Sequence, residues 1–159
     1  AGCSTGMEPY SIAMTSASSF PKGWDFKILA TDLDTQVLET AREGVYHKDN
    51  IAGIEQDMIE NNFLHDTKGE RYKVKDRFRK LITFKQLNLL DSWPMKGPFD
   101  VIFCRNVVIY FDVETKNKLF QRYANLLSPN GYFILGHSET MSRDVTLFKA
   151  LGGTIYQKV

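Results

Sequence analysis

Short apolar runs ending in a polar residue alternate along this chain with segments whose apolar residues recur every three or four positions. The run FKILATD (26–32) ends on Asp32, which predicts a buried strand with a carboxylate at its C-terminal end. A helical pattern lies on either side of it. EPYSIAMTSASSF (8–20) has Pro9 in a first turn and Ile12, Ala13 and Ala17 to Phe20 as a core-facing stripe. DTQVLETAREGVY (34–46) turns Val37, Leu38 and Ala41 inward, with Asp34 as the N-cap and Gly44 as the stop. The rhythm returns later in the chain. FDVIFCRN predicts an apolar strand over 99–104, and VETKNKLFQRYANLL a helix with Leu119, Phe120, Tyr123, Leu126 and Leu127 on one side. SPNG stops that helix, YFILGHSE reads as another buried strand, and Phe148 with the tail GTIYQKV predicts a closing antiparallel strand.

The stretch 46–87 breaks the alternation. GIEQDMIENNFLHD suggests one short helix with Ile54, Met58, Ile59 and Phe63 on a shared face. A turn at Lys68-Gly69 between strand-like residues then predicts a small antiparallel insertion, after which the chain returns to a parallel sheet. Strands alternating with helices and no internal repeat imply a doubly wound, mostly parallel α/β sheet with right-handed crossovers, forming one domain over 1–159.

Composition narrows the picture. The chain has 159 residues, 43% of them hydrophobic and 25% charged, as in an ordinary globular domain. No run approaches the roughly 18 apolar residues of a membrane span, so no membrane insertion is expected. A formal net charge of +1 argues against nucleic acid as a partner. Cys3 and Cys104 form no metal-spaced cluster, so no metal is expected, and they read as buried or site-lining thiols in a reducing cytoplasm. The charge is uneven, however. Eight basic residues between Lys68 and Lys85 face only Glu70 and Asp76, which is either a solvated hairpin face or a docking patch for an acidic partner.

Ligands of doubly wound sheets lie beyond the C-terminal ends of the strands, and three features fall there. The first is the opening turn AGCSTGMEPYS, with Cys3 a candidate cofactor contact in it, where Gly2 and Gly6 let backbone approach a ligand closely. The second is Asp32, placed to accept hydrogen bonds from ribose hydroxyls. The third is CRN (104–106), with NLL (88–90) in the loop before it. The turn lacks G-x-G-x-x-G spacing, and Glu8 sits where a pyrophosphate would lie. A carboxylate there repels phosphate and attracts an amine, so the turn favours a nucleoside with an amino-acid tail, as in S-adenosylmethionine. The plainer reading is that Glu8 only complements the helix dipole.

AGCSTGMEPYSIAM, ILATDLDTQVLETAREGVY, NLLD, FDVIFCRNVVIYFD and LLSPNGYFILGHSE together resemble the chemotaxis receptor glutamate methyltransferases, the CheR family, in the family's order and over nearly the whole chain. The resemblance implies a class I methyltransferase fold. It implies S-adenosylmethionine as cofactor, S-adenosylhomocysteine as product, and methyl-ester formation on glutamates of the cytoplasmic domain of methyl-accepting chemoreceptors. By matching motifs it gives cofactor contacts to Glu8, Asp32, Asn88, Leu89, Arg105 and Asn106. It further implies a cytoplasmic enzyme, expected to be a monomer. The family turn usually reads G-E-E-P-Y-S, and Met7 here leaves Glu8 as the turn's only acid. The family also carries a helical domain and a first sheet strand before this turn, and both are expected to lie outside this sequence. The rival reading is a non-catalytic signalling module that binds the cofactor or its product.

Esterification needs no general base, since the acceptor carboxylate is already a nucleophile. Arg105, Asn106 and Tyr110 are the candidates for lining its approach. Arg105 reads equally as a cofactor contact or a structural ion pair, and Tyr110 also reads as core packing. His137 reads as structural, His47 and His65 lack metal partners, and Trp24 and Trp93 are expected to pack down.

Overall fold

A computed structural model of the chain describes residues 1–21, 23–66, 69–142 and 145–159; Lys68 of the basic run lies outside them. Two compact units emerge, Cys3–Gln86 and a second made of Ala1–Gly2 with Leu87–Val159.

The Cys3–Gln86 unit opens with α1 (Met7–Ser19), β1 (Ile28–Asp32) and α2 (Thr35–Glu43). β2 (Val45–His47), a 3-10 turn (Lys48–Ile51), α3 (Gln56–Asn62), β3 (Phe63–Asp66) and β4 (Arg71–Val74) follow. α4 (Asp76–Arg79) leads to β5 (Ile82–Gln86), which pairs in parallel with β1 from Ile28↔Ile82 to Asp32↔Gln86. β2, β4 and β3 form a separate antiparallel sheet with β4 in the middle. The excursion closes where Val74 N donates to Gly44 O at 2.9 Å.

Local signals set α2 as the sequence predicts. The Asp34 carboxylate accepts from Gln36 N at 2.7 Å, and Gly44 ends the helix in the left-handed region at φ 61°. Asp34→Ala is expected to lower the melting temperature by roughly 2–4 °C, read by circular dichroism. In α1 the buried residues are Pro9, Tyr10 and Ala13, whereas Ala17 to Phe20 are exposed and not a core stripe. The helix leaves the core in its last turns, and Phe20 stacks instead on Trp24, which is itself 61% exposed.

α3 is shorter than its apolar pattern suggests, and Ile54 and Met58 are exposed. The basic run explains where it stops. Lys75 N takes Asn62 O, Lys75 Nζ takes Glu60 O at 2.7 Å, and an Arg77 Nη takes Asn61 O at 2.8 Å. Two of the last carbonyls of α3, those of Glu60 and Asn61, are thus satisfied by cations, which also suit the negative end of its dipole, and that of Asn62 by a backbone N–H. Arg79 bonds Asp76 and Arg42 O. Arg71, Lys73, Lys80 and Lys85 remain exposed.

The second unit holds β6 (Phe99–Cys104), a 3-10 turn (Val108–Tyr110), α5 (Val113–Leu126), β7 (Leu127–Leu135), β8 (Phe148–Gly152) and β9 (Ile155–Lys158). The sheet order is β6-β7-β9-β8, with β6 and β7 parallel and β9 antiparallel to both its neighbours. The closing strand of the sequence reading is therefore a hairpin. Phe133 centres the core, fully buried among Phe120, Tyr123 and Phe148 with ring centroids 5.1–5.8 Å away. β6 is less buried than its apolar run suggests: Ile102 and Cys104 join this core, while Val101 points to the other face and is 42% exposed.

Both cysteines are buried thiols. Burial, helped by the nearby Asp32 charge, pushes the Cys3 thiol up to about 11. Burial also raises the Tyr46 and Tyr123 phenols. These groups fold in their neutral forms, so the stability they confer is complete below their unfolded pKa values. It is lost as pH rises through the folded ones. Stability is expected to fall between about pH 9 and 11, with Cys3 resisting thiol reagents at pH 8 until denaturant is added. Urea titrations across that range, with labelling in parallel, check this.

Candidate cofactor site

The opening turn divides between the units, and each half is built by its own contacts. In the Cys3–Gln86 unit, Cys3 N donates to Thr31 O at 2.9 Å and Gly6 N to Cys3 O at 3.0 Å, so the turn is tied to β1. Tyr46 Oη donates to Thr5 O, and Tyr10 Oη to Ala41 O, each at 2.8 Å. Gly6 sits at φ 88° before α1, and Glu8 occupies that helix's first turn.

Asp32 stands at the end of β1, half-buried. Its Oδ2 accepts from Ser4 N at 2.8 Å and its Oδ1 from Asp34 N at 3.1 Å. Each carboxylate oxygen can take a second donor, so Asp32 holds the turn and still has room for two hydroxyls. This half brings Cys3, Gly6, Glu8 and Asp32 together.

In the other unit, Ala1 N donates to Phe103 O at 2.6 Å and sets Gly2 against the loop after β6. A Cβ on Gly2 would meet Val107 Cγ2 at 2.3 Å, which, with φ 69°, explains the glycine. Arg105 is half-buried, and Asn106 is exposed with φ 59°. Tyr110 is 80% exposed and does not pack into the core. Asn88 Oδ1 accepts from Leu90 N at 3.0 Å, shaping the NLL loop. Leu89 O accepts from Trp93 Nε1 and from Arg122 at 2.7 Å, and the Arg122 guanidinium lies 3.8 Å over the Trp93 ring. Arg122 and Trp93 thus fasten 88–93 to α5, and Trp93 packs down as expected. His137 is exposed.

Sequence reasoning passed over Glu139. Its side chain is 2% exposed and accepts from four backbone N–H groups, those of Asn106, Val107, Ile109 and Gly136. The signal was its place four residues past the end of β7, in the GHSE stretch where only His137 drew notice. Among the described residues no His, Cys, Asp and Glu group could hold a metal ion, and no helix is long and apolar enough to cross a membrane.

The fold is that of the class I S-adenosylmethionine-dependent methyltransferases. It is shared with PKMT2 from Rickettsia typhi in complex with AdoHcy, at a TM-score of 0.51 and 22% identity over 84% of this chain and 19% of that one. Residues 1–157 match the family described as CheR methyltransferase, SAM binding domain, and the chain belongs to that family. It is 46% identical to a probable chemotaxis protein methyltransferase of Rhizobium etli over 99% of this chain and 60% of that protein. It is 40% identical to the chemotaxis protein methyltransferase of Escherichia coli K12 over 98% of this chain and 56% of that protein. The chain thus spans a little over half the length of these curated relatives.

Proposed function

We propose that this chain is the cofactor-binding and methyl-transfer part of a protein-glutamate O-methyltransferase. The whole protein then forms methyl esters on the cytoplasmic domain of chemoreceptors, as a monomer in the cytoplasm. The observation that carries this reading is the family match over residues 1–157, joined to a turn built around Asp32.

When bound, S-adenosylmethionine supplies a methyl group on a sulfonium sulfur. Asp32 receives ribose hydroxyls, Gly2 and Gly6 let the turn's backbone come close, and Cys3 is a further contact in the turn. Glu8 attracts the α-amino group by charge. Asn88, Leu89, Arg105 and Asn106 are proposed as further cofactor contacts. The acceptor glutamate needs no base, so the protein's task is alignment at about 3–3.5 Å and replacement of water by fixed groups. Arg105, Asn106 and Tyr110 are proposed to line that approach, Arg105 steering the carboxylate by charge. The test gives the full-length protein, the receptor and the methyl-labelled cofactor together, then treats the product with alkali. Label released as volatile methanol supports the ester; label that stays on the receptor would point to N-methylation and sink it.

The exposed cations suit acidic receptor helices as a docking partner. Reversing Lys73 and Lys80 is expected to weaken receptor methylation severalfold at low salt, an effect that added salt erases. Reversing Lys75 or Arg77 should instead lower the melting temperature, because these cap α3. Methylation insensitive to both salt and the Lys73 and Lys80 changes would remove the docking role.

A further inference from the structure

The buried Glu139 carboxylate is the meeting point of two chain segments. Oε2 accepts from Asn106 N and Gly136 N, both at 2.8 Å, and Oε1 from Val107 N at 2.8 Å and Ile109 N at 3.2 Å. Glu139 N in turn donates to Gly136 O at 3.0 Å, so the short loop after β7 closes on itself and presents the side chain. Gly136 leaves the room for this, since a Cβ there would meet Glu139 Oε2 at 2.8 Å and Asn106 N at 2.9 Å. Three of the four donors belong to the few residues that carry Arg105, Asn106 and Tyr110. Convergent backbone N–H groups make a concavity suited to an anion, and here the anion is the protein's own side chain.

A buried carboxylate is costly unless its oxygens are well hydrogen-bonded, and this one is. Two oxygens gripping four backbone donors fix both the position and the rotation of the loop after β6, including Asn106 in its left-handed conformation. We infer that Glu139 is the positioning residue for methyl transfer: acting only through backbone, it holds Arg105, Asn106 and Tyr110 in the geometry the acceptor carboxylate requires. The inference rests on the methyl-transfer reading above.

Glutamine keeps the shape but has one acceptor oxygen, and its amide NH2 would face two N–H donors. Aspartate keeps the charge but is one methylene too short to serve both pairs of donors. The test compares full-length wild type, Glu139→Gln and Glu139→Asp, each assayed well below its own melting temperature. In Glu139→Gln, kcat is expected to fall roughly 10- to 100-fold, as for a small misplacement of catalytic groups. KM for the receptor should change less than about threefold, since most of the receptor docking is proposed to fall on the exposed cations of 71–85. Glu139→Asp should fall between the two. Hydrogen exchange should show the amides of Asn106, Val107 and Ile109 losing protection in Glu139→Gln, with those of α5 unchanged.

A folded Glu139→Gln with kcat within about twofold of wild type overturns the inference. Variants that do not fold overturn it too, since the carboxylate would then hold the fold and not the site. A wild-type protein unable to methylate the receptor overturns the methyl-transfer reading itself, and this inference with it.

Discussion

Gly6→Ala is expected to lower stability by about 3 kcal/mol, or the melting temperature by roughly 6–12 °C. Two separate costs act at this position. Gly6 has φ 88°, a backbone region that costs a side-chain-bearing residue about 1–2 kcal/mol. Its Cβ would also stand 2.8 Å from Ala41 Cβ and 3.2 Å from Ala41 Cα, and the latter is backbone and cannot swing away. Gly53 separates the costs, because its φ is 89° but nothing lies within 4 Å of its would-be Cβ. Gly53→Ala should therefore show only the first cost, about 1–2 kcal/mol. Equal shifts for the two variants in thermal unfolding would refute the claim that Gly6 packs too closely on Ala41 to admit a side chain.

Asp32→Ala is expected to weaken S-adenosylhomocysteine binding at least 10-fold and up to about 100-fold, the range for losing charge-assisted hydrogen bonds. The substitution acts twice, because Asp32 both grips Ser4 N and Asp34 N and is proposed to receive the ribose. A product analogue lacking the ribose hydroxyls tells the roles apart in a thermodynamic cycle. If the ribose role holds, wild type prefers the natural ligand and Asp32→Ala loses that preference. An equal loss for both ligands in calorimetry would leave Asp32 as a brace for the turn alone. Asp32→Asn, with one acceptor oxygen left, should lie in between.

What could be read beforehand from the residues, and what could not, divides by range of interaction. Asp34 and Gly44 act within a few residues of α2, and their roles follow from chain-local chemistry. The apolar runs at 28–32 and 132–135 had to be strands because each is short, continuous and stopped by polar residues. Ala17 to Phe20 keep a helical spacing yet face solvent, because spacing says which residues share a face and not how far the core extends. The basic run was harder still. Whether Lys75 and Arg77 serve solvent or a helix end depends on α3 arriving beside them. Glu139 was invisible for the same reason: a glutamate after a strand is unremarkable until four amides from two loops are seen to surround it.

The closing contact between Val74 N and Gly44 O has a bearing on how such a protein can change over time. The chain leaves the parallel pair after α2 and comes back to β5 from nearly the same point, so the excursion between is a cassette with adjoining ends. Its strands pair with one another and not with β1 or β5, while Arg77 caps α3 from just outside and Tyr46, Ile51, Phe63 and Val74 share the core with Ala30 and Phe84. Residues beyond Tyr46 can be lengthened, shortened or exchanged while the turn around Asp32 stays intact, since Tyr46 is the cassette residue that holds Thr5 O. A lineage could then retune what the protein recognises without renegotiating the chemistry, and a laboratory could graft a foreign cassette between Tyr46 and Lys75 on the same grounds.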